Sequence, residues 1–217
     1  MTTSTAISAQ GTVVQIATGT GGAKSASAIA LGYPTIITAT SHGFANGDVV
    51  AAAAFTGANA ASINGISWTV LYKTTHTVAI ALDSTALVIT FGSGTLTPAT
   101  YTAIGNVRSF SDFESGSAAE IDVTHLASTA KEFRLGLVDN GSFTMTIDHS
   151  NADGGQTALQ ARRLDGVSTN MKVILPSGTT PTASFAGLVK KFTKSAAVDG
   201  VVTASVDVRV NGAITWA

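Results

Sequence analysis

Residues 118–147 read AAEIDVTHLASTAKEFRLGLVDNGSFTMTI, and this stretch decides how the rest of the chain is understood. Its first half mixes polar and apolar residues without settling into a helical period. It also carries the densest alternation of charge in the chain, with Glu120, Asp122, Lys131, Glu132, Arg134 and Asp139. Asp139-Asn140-Gly141 follows, a strong hairpin-turn signal, because Asn and Gly accept the positive φ that such turns need. Beyond it Phe143, Met145 and Ile147 alternate with Ser142, Thr144, Thr146 and Asp148, the period-2 mark of a strand with one buried face. The expectation is a long projecting loop that feeds straight into a sheet. Ordering such a loop costs conformational entropy, so it is expected to dock on a neighbouring copy.

Composition narrows the function classes. The chain has 217 residues, enough for one large or two small domains, with a formal net charge of −1 and only 12% charged residues. A protein that grips nucleic acid through displaced counterions needs clustered Lys and Arg, and this nearly balanced, sparse charge argues against one. A polybasic membrane-surface protein is excluded in the same way. Mean hydropathy is positive, but Ala and Val supply it; the longest apolar run, residues 49–55, is too short to span a bilayer. The opening MTTSTAISAQGTVV has neither a basic nor an apolar signal region, so no signal peptide is expected. With no cysteine there is no disulfide framework, thiolate nucleophile or cysteine-based zinc site. Low charge with abundant Gly, Ala, Thr, Val and Ser suits sheets whose outer faces are covered by other copies; it also suits a plain all-β domain.

Working back to the N-terminus, residues 12–17 read as a short strand and the segment after it as a mobile loop. Gly19-Thr20-Gly21-Gly22-Ala23-Lys24-Ser25 has the look of a phosphate-binding loop. That loop needs Gly directly before the Lys and a helix directly after; Ala23 stands in the first place and no helical stripe follows.

Residues 31–92 form a block in which only Asp48, Lys73 and Asp83 are charged. Strand-like runs at 34–40, 48–55, 67–72 and 77–82, and a fifth at 86–91, are separated by turns at 44–47, 57–59 and 64–65. Strands at this spacing without a helix point to a small barrel or sandwich. TIITATSHGFANGDVV, INGISWTVLY and HTVAIAL resemble a small β-barrel module of phage tail and fibre proteins. That module is similar to the first catalytic cysteine half-domain of ubiquitin-activating enzymes. His42, Gly43, Phe44, Gly47 and Asp48 occupy its first turn, and Asn64, Gly65 and Val70 its second stretch. The resemblance implies a fold and a decorating role, and no ubiquitin chemistry. His42, Asp48, His76 and Asp83 sit at turns or strand ends and read as turn-capping and packing groups rather than as a metal or acid–base set.

Residues 93–103, rich in Gly, Ser, Thr and Pro, read as a linker back to the main domain. The expected organisation is therefore a discontinuous domain, 1–30 and 93–217, with 31–92 inserted in a loop. In the second half, residues 104–113 read as a strand. A helix over 156–164 is capped by Asp153 or a neighbour and ended by Gly166. Strands follow at 171–175, 182–190 and 201–210, with Pro176-Ser177-Gly178 as the turn between the first two. In the last strand Val202, Ala204, Val206, Val208 and Val210 face one way, and Thr203, Ser205, Asp207 and Arg209 the other.

This order of elements resembles the major tail tube protein of lambda-like long-tailed phages. The residues that carry the resemblance are Glu120-Ile121-Asp122-Val123-Thr124, Ser128 to Phe133, Leu137 to Ser142, Gly155 to Leu159, Ile174 to Gly178 and Gly187-Leu188-Val189. It implies a mainly β fold: a tail-tube β-sandwich with one α-helix and a projecting arm, plus the inserted barrel. It implies a structural virion protein that forms stacked, hexameric rings around a DNA-conducting lumen, assembled in the host cytoplasm. Implied partners are other copies of the chain, the tail tip, tape measure and tail terminator proteins, and double-stranded DNA in passage; no membrane is involved. The arm over 118–135, with Glu120, Asp122, Thr124, His125, Lys131, Glu132, Phe133 and Arg134, is then the contact to the next subunit or ring. The polar residues Thr144, Thr146, Asp148, Thr203, Ser205, Asp207 and Arg209 line the lumen or an intersubunit seam. A weakly charged wall suits a conduit that must not hold DNA.

Two other classes compete. A carbohydrate- or receptor-binding module of a tail or fibre calls for exposed aromatic platforms, yet aromatics are 6% and Trp68 and Trp216 stand in strand-like or terminal contexts. An enzyme calls for a Gly-x-Ser-x-Gly elbow, a His-Glu-x-x-His helix or paired carboxylates on a helix, and none occurs. His125 and His149 read as surface or interface residues. No catalytic residue, metal or cofactor is expected. Asn140-Gly141-Ser142 matches a glycosylation sequon but reads as a turn.

Overall fold

Two hydrophobic clusters organise the chain, and a single strand, residues 95–103, pairs with strands of both. The computed structural model describes residues 6–90, 94–176 and 182–217. In chain order the strands are β1 (Val13–Thr20), β2 (Lys24–Ser25), β3 (Ala28–Ala30), β4 (Thr35–Thr38), β5 (Val49–Ala53), β6 (Ser67–Lys73), β7 (Thr77–Ile80), β8 (Thr95–Ala103) and β9 (Val107–Ser111). There follow β10 (Ser117–Asp122), β11 (Phe133–Asp139), β12 (Ser142–Asp148), the helix α1 (Gly154–Asp165), β13 (Thr169–Ile174), β14 (Thr182–Ser195), β15 (Thr203–Val210) and β16 (Thr215–Trp216). The fold is mainly β with one α-helix, as expected. The main sheet runs β3-β4-β7-β6-β5-β8-β1-β13-β14-β15-β12-β9, and β10 and β11 form a separate ribbon.

The first cluster belongs to the body, β1, β12 to β15 and α1. Alternation builds it: Phe143, Met145 and Ile147 point inward from β12, and Ala204, Val206, Val208 and Val210 from β15. Burying each large apolar side chain contributes about 2 kcal/mol. The helix lies over this core through Leu159. Asp153 Oδ1 accepts from the Gln156 amide at 2.7 Å, and Gly166 ends the helix in the left-handed conformation. Gln156 is fully buried. Its amide donates to the Gly105 and Asp148 carbonyls at 3.0 and 2.9 Å, and its oxygen accepts from the Ser150 N–H at 2.9 Å. It ties the helix to the ends of β12 and β8.

The second cluster includes Ile37, Val50, Ile63, Val70, Val78, Ile80 and Leu96. Its strands run β3-β4-β7-β6-β5-β8, and β2 pairs with β8 while β3 pairs with β4. Residues 24–30 therefore reach both ends of that path and close it, which leaves no free edge there.

Several sequence expectations change. Residues 93–103 are no linker: β8 pairs with β5 through Thr95–Pro98 and with β1 through Ala99–Ala103. Gly, Ser, Thr and Pro suit it because Pro98 sits where the strand changes partner. The loop after β1 is partly paired, Lys24 opposite Leu96, and β1 itself extends to Thr20. The strand expected at 104–113 shrinks to β9 because Asn106 and Asp112 adopt positive φ. Residues 86–90 make only an isolated bridge, Thr56 to Thr90; Phe91 lies outside the described residues, as do Ser177 and Gly178 of the expected turn. The irregular loop expected over 118–135 is a two-stranded ribbon with a tip at 123–132. Finally, Asp139-Asn140-Gly141 joins β11 to β12 without making a hairpin, because β12 pairs with β15 and β9. Its left-handed Gly141 (φ 71°) turns a corner, and the Asp139 carboxylate accepts from the Gly141 N–H at 2.9 Å.

Candidate assembly surfaces

Among the described residues, β10 and β11 pair only with each other. Asp122 stands opposite Phe133 and Glu120 opposite Leu135, so these share one face, while Ile121 and Arg134 share the other. All eight residues expected on the arm lie on this ribbon or its tip. Five of them shape the tip. Thr124 N donates to Asp122 at 2.9 Å, Lys131 Nζ lies 3.6 Å from Asp122, Glu132 N donates to the Thr124 hydroxyl at 3.0 Å, and Ala127 N donates to His125 Nδ1 at 3.2 Å. The Thr124 hydroxyl and amide, with help from Lys131, hold the Asp122 carboxyl below its ordinary range.

Sequence reading by charge missed the apolar residues beside them. Leu126 and Leu137 are almost fully exposed, and Leu135 is 71% exposed. The signal was present as Phe133-x-Leu135-x-Leu137, an alternation with no core to bury it; an extra residue in β11 breaks its period, so Val138 and not Leu137 continues the face of Phe133 and Leu135. The root of the ribbon is fixed. Phe113 packs edge-on to Phe143 and Trp216, and Trp216 Nε1 donates to Glu114 at 2.6 Å. Positive φ at Asp112 and Glu114 turns the chain on either side of that anchor. On the other strand Arg209 pairs with Asp139. The Gly141 N–H and then Arg209 lower the Asp139 carboxyl.

The seven residues expected on a polar face do come together. Across the β12–β15 ladder Thr144 faces Asp207, Thr146 faces Ser205, Asp148 faces Thr203 and Ser142 faces Arg209. β9 adds Ser109 and Ser111, and β14 adds Thr193 and Ser195. The result is a hydroxyl-rich sheet face opposite the body core. Its carboxylates are neutralised by a device that period-2 reading cannot see. Each flanking strand carries a bulge, and the extra residue is a cation. Arg108 in β9 sits 2.6 Å from Asp148, and Lys190 in β14 sits 3.4 Å from Asp207.

Among the described residues, this four-stranded face, β14-β15-β12-β9, has two edges that no strand covers. β9 is the last strand of the path. β14 pairs with β13 only as far as Gly187, and among the described residues no strand covers that side of residues 188–195.

The candidate chemistry at 42–83 is structural. His42 is buried, with Nε2 3.0 Å from the Thr74 carbonyl and Nδ1 accepting from Phe44 N at 2.9 Å. His76 Nδ1 accepts from Ser41 N, and Asp83 caps the Thr85 amide. Asp48 does more than cap. Its Oδ2 accepts from Ala45 N at 2.7 Å, and its Oδ1 lies 2.6 Å from Lys172 Nζ on β13. Lys172 is itself 4.2 Å from the centre of the Tyr101 ring. Burial, reinforced by Asp48, pushes the Tyr101 phenol well up from its usual range. Ser184 Oγ donates to the Gly47 carbonyl at 2.6 Å. Gly47 has φ 77°, and a Cβ there would lie 2.5 Å from Thr182 Cγ2. The 44–48 turn is thus keyed into the body.

Among the described residues no group of three or more His, Cys, Asp or Glu is placed to hold a metal. The clefts of about 270 and 330 Å³ between the strands of the second cluster and the body are lined by one titratable side chain among the described residues, Arg162. Trp68 and Trp216 are half-buried and packed against the two cores, and their N–H groups donate to the Ile63 carbonyl and to Glu114, so neither indole is a free platform for sugar. His149 bonds Gln156 and Asn151, and His125 sits at the ribbon tip.

The model of the lambda phage tail tube protein family matches residues 88–217. A comparison with curated proteins gave no match. Among solved structures, a chain from the tail of an empty GTA particle refined with C6 symmetry is 19% identical over 54% of this chain and 86% of that one, with a TM-score of 0.44. A chain from the virion of a native gene transfer agent is 17% identical over 54% and 88%, with a TM-score of 0.44. A chain from the baseplate of the anti-feeding prophage is 11% identical over 55% and 83%, with a TM-score of 0.40.

Proposed function

The chain belongs to the lambda phage tail tube protein family, and from that premise we propose that it closes into rings that stack as a DNA-conducting tube. As a tail tube protein it is a structural component of the virion and not an enzyme. The observation that carries the assembly reading is the polar sheet face bounded by two unpaired edges. An exposed edge is a template for another strand. In a ring, β9 of one copy meets residues 188–195 of the next, and the four-stranded faces join into one closed wall. Six copies per ring is the number that the tail tube resemblance implies.

In this arrangement Thr144, Thr146, Asp148, Thr203, Ser205 and Asp207 face the lumen, while Arg209 and its partner Asp139 lie where the ribbon leaves the wall. Hydroxyls and paired charges offer DNA no excess of cations to displace its counterions, so it passes without being held. The ribbon of residues 117–139 reaches a neighbouring copy, which covers its exposed leucines. The tail tip, tape measure and terminator proteins are the further partners of such a tube.

Residues 31–92 are the inserted outer barrel of this reading. Two observations support it: the second core is ringed by its own strands, and the family match begins only at residue 88. The closing segments extend the unit to residue 24 on one side and Pro98 on the other.

The test is negative-stain microscopy of purified protein beside a variant in which a short Gly-Ser link replaces residues 118–138. Wild type is expected to give stain-filled tubes, and the variant rings or monomers. Full-length tubes from the variant refute the ribbon's role.

A further inference from the structure

We propose that the apolar stripe of the β10–β11 ribbon seats on the β14–β15 hairpin tip of a second copy in the adjacent ring, giving the stack its polarity. This rests on the tube reading above. The register puts the two features at opposite ends of the same sheet. The ribbon leaves beside Ser142 and Arg209, whereas the hairpin tip follows Ser195 and precedes Thr203, beside Asp148. The seven residues of β12 separate them by about 20 Å.

Both ends are apolar and uncovered. The ribbon offers Phe133, Leu135 and Val138 on one face and Leu126 at its tip; the hairpin tip offers Val198, fully exposed, and Val201, 61% exposed. Neither patch has a core of its own to bury in, since the ribbon strands pair only with each other among the described residues and the tip is a loop.

Charge is complementary. With Asp139 already paired to Arg209, residues 117–139 hold Glu120, Asp122 and Glu132 against Lys131 and Arg134, an excess of one negative charge. With Lys190 already paired to Asp207, residues 191–202 hold Lys191 and Lys194 against Asp199, an excess of one positive charge. The occupant that fits the ribbon is therefore the other end of an identical chain. Because the two patches differ and lie at opposite ends of the sheet, the contact is heterologous and joins one ring to the next, so it propagates as a filament with one direction. Two ribbons facing each other would instead bring like charges together.

The chain has no cysteine, so introduced thiols report one contact. Under oxidation, tubes of the Leu135→Cys/Val198→Cys double variant are expected to yield a ladder of covalent oligomers on a non-reducing gel, and either single variant none. Val198→Asp/Val201→Asp, in an exposed loop, is expected to leave monomer folding and rings intact and to abolish tubes. If wild-type tubes form but the double-cysteine tubes give no ladder and the aspartate variant makes normal tubes, the docking site is wrong while the tube reading stands. A wild-type protein that never assembles overturns both.

Discussion

Replacing Asp48 by Asn should destabilise the protein far more than replacing its partner Lys172 by Met. Lys172 is the buried member of the pair, its side chain only 6% exposed, while that of Asp48 is 25% exposed. In Asp48→Asn the new amide oxygen can still accept from the Ala45 N–H, so the turn survives, but the ammonium is left with only the Tyr101 ring face. Breaking a buried ion pair from one side costs about 3–5 kcal/mol, and water reaching the partly exposed Asp48 side places the expected loss near 3. In Lys172→Met the thioether stem keeps its packing against Tyr101. Asp48 keeps the Ala45 N–H and its water, so about 1 kcal/mol is expected. The double variant should fall close to Lys172→Met, a coupling of about 3 kcal/mol. Denaturant unfolding reads this directly, because Trp68 packs on the barrel core and Trp216 on the body core. Equal losses for the two single variants, or a loss under about 1 kcal/mol for Asp48→Asn, would refute the reasoning.

Three further outcomes are expected. Thr20 and Ala99 are paired, so an Asn-Gly turn in place of residues 21–98 should leave a folded body that still assembles, with a thinner envelope by microscopy; failure of that body to fold sinks the insertion reading. Asp153→Ala removes the α1 cap and the acceptor of the Gly105 amide. It should lower stability by about 1–2 kcal/mol in thermal or denaturant melts, and no loss would contradict the capping role. The Asp122 and Asp139 carboxyls are both lowered in the folded state from 3.8. Their stabilisation is therefore present above that value and lost as pH falls through the folded values. On acidification below about pH 3.8, hydrogen-exchange protection, taken relative to the intrinsic rate at each pH, should fall in the ribbon before the body, and the reverse order would contradict this.

Local rules and alternation made much of the fold legible. Asp153 and Gly166 marked the helix, and the alternation of β12 and β15 separated core from polar face. Legibility failed where the cause is non-local or breaks the period. The bulges at Arg108 and Lys190 shift the alternation by one residue, so neither cation could be placed over its aspartate from sequence. Asp48 and Lys172 are 124 residues apart, and no spacing rule connects them. The ribbon has both faces exposed, so it lacked the one-sided pattern that betrays a strand, and its charges drew attention away from its leucines. Asp139-Asn140-Gly141 signalled positive φ correctly, but a turn residue does not say which strands will pair. Composition misread β8 because a strand that hands over between two sheets tolerates Pro98 and its small neighbours.

The most direct measurement is a helical reconstruction of tubes grown from the purified chain. The account expects a hollow cylinder whose inner wall is built from β14, β15, β12 and β9, with β9 of each copy beside residues 188–195 of the next and Thr144, Thr146 and Ser205 facing the lumen. A filament without a channel, or a tube with that hydroxyl face turned outward, contradicts it.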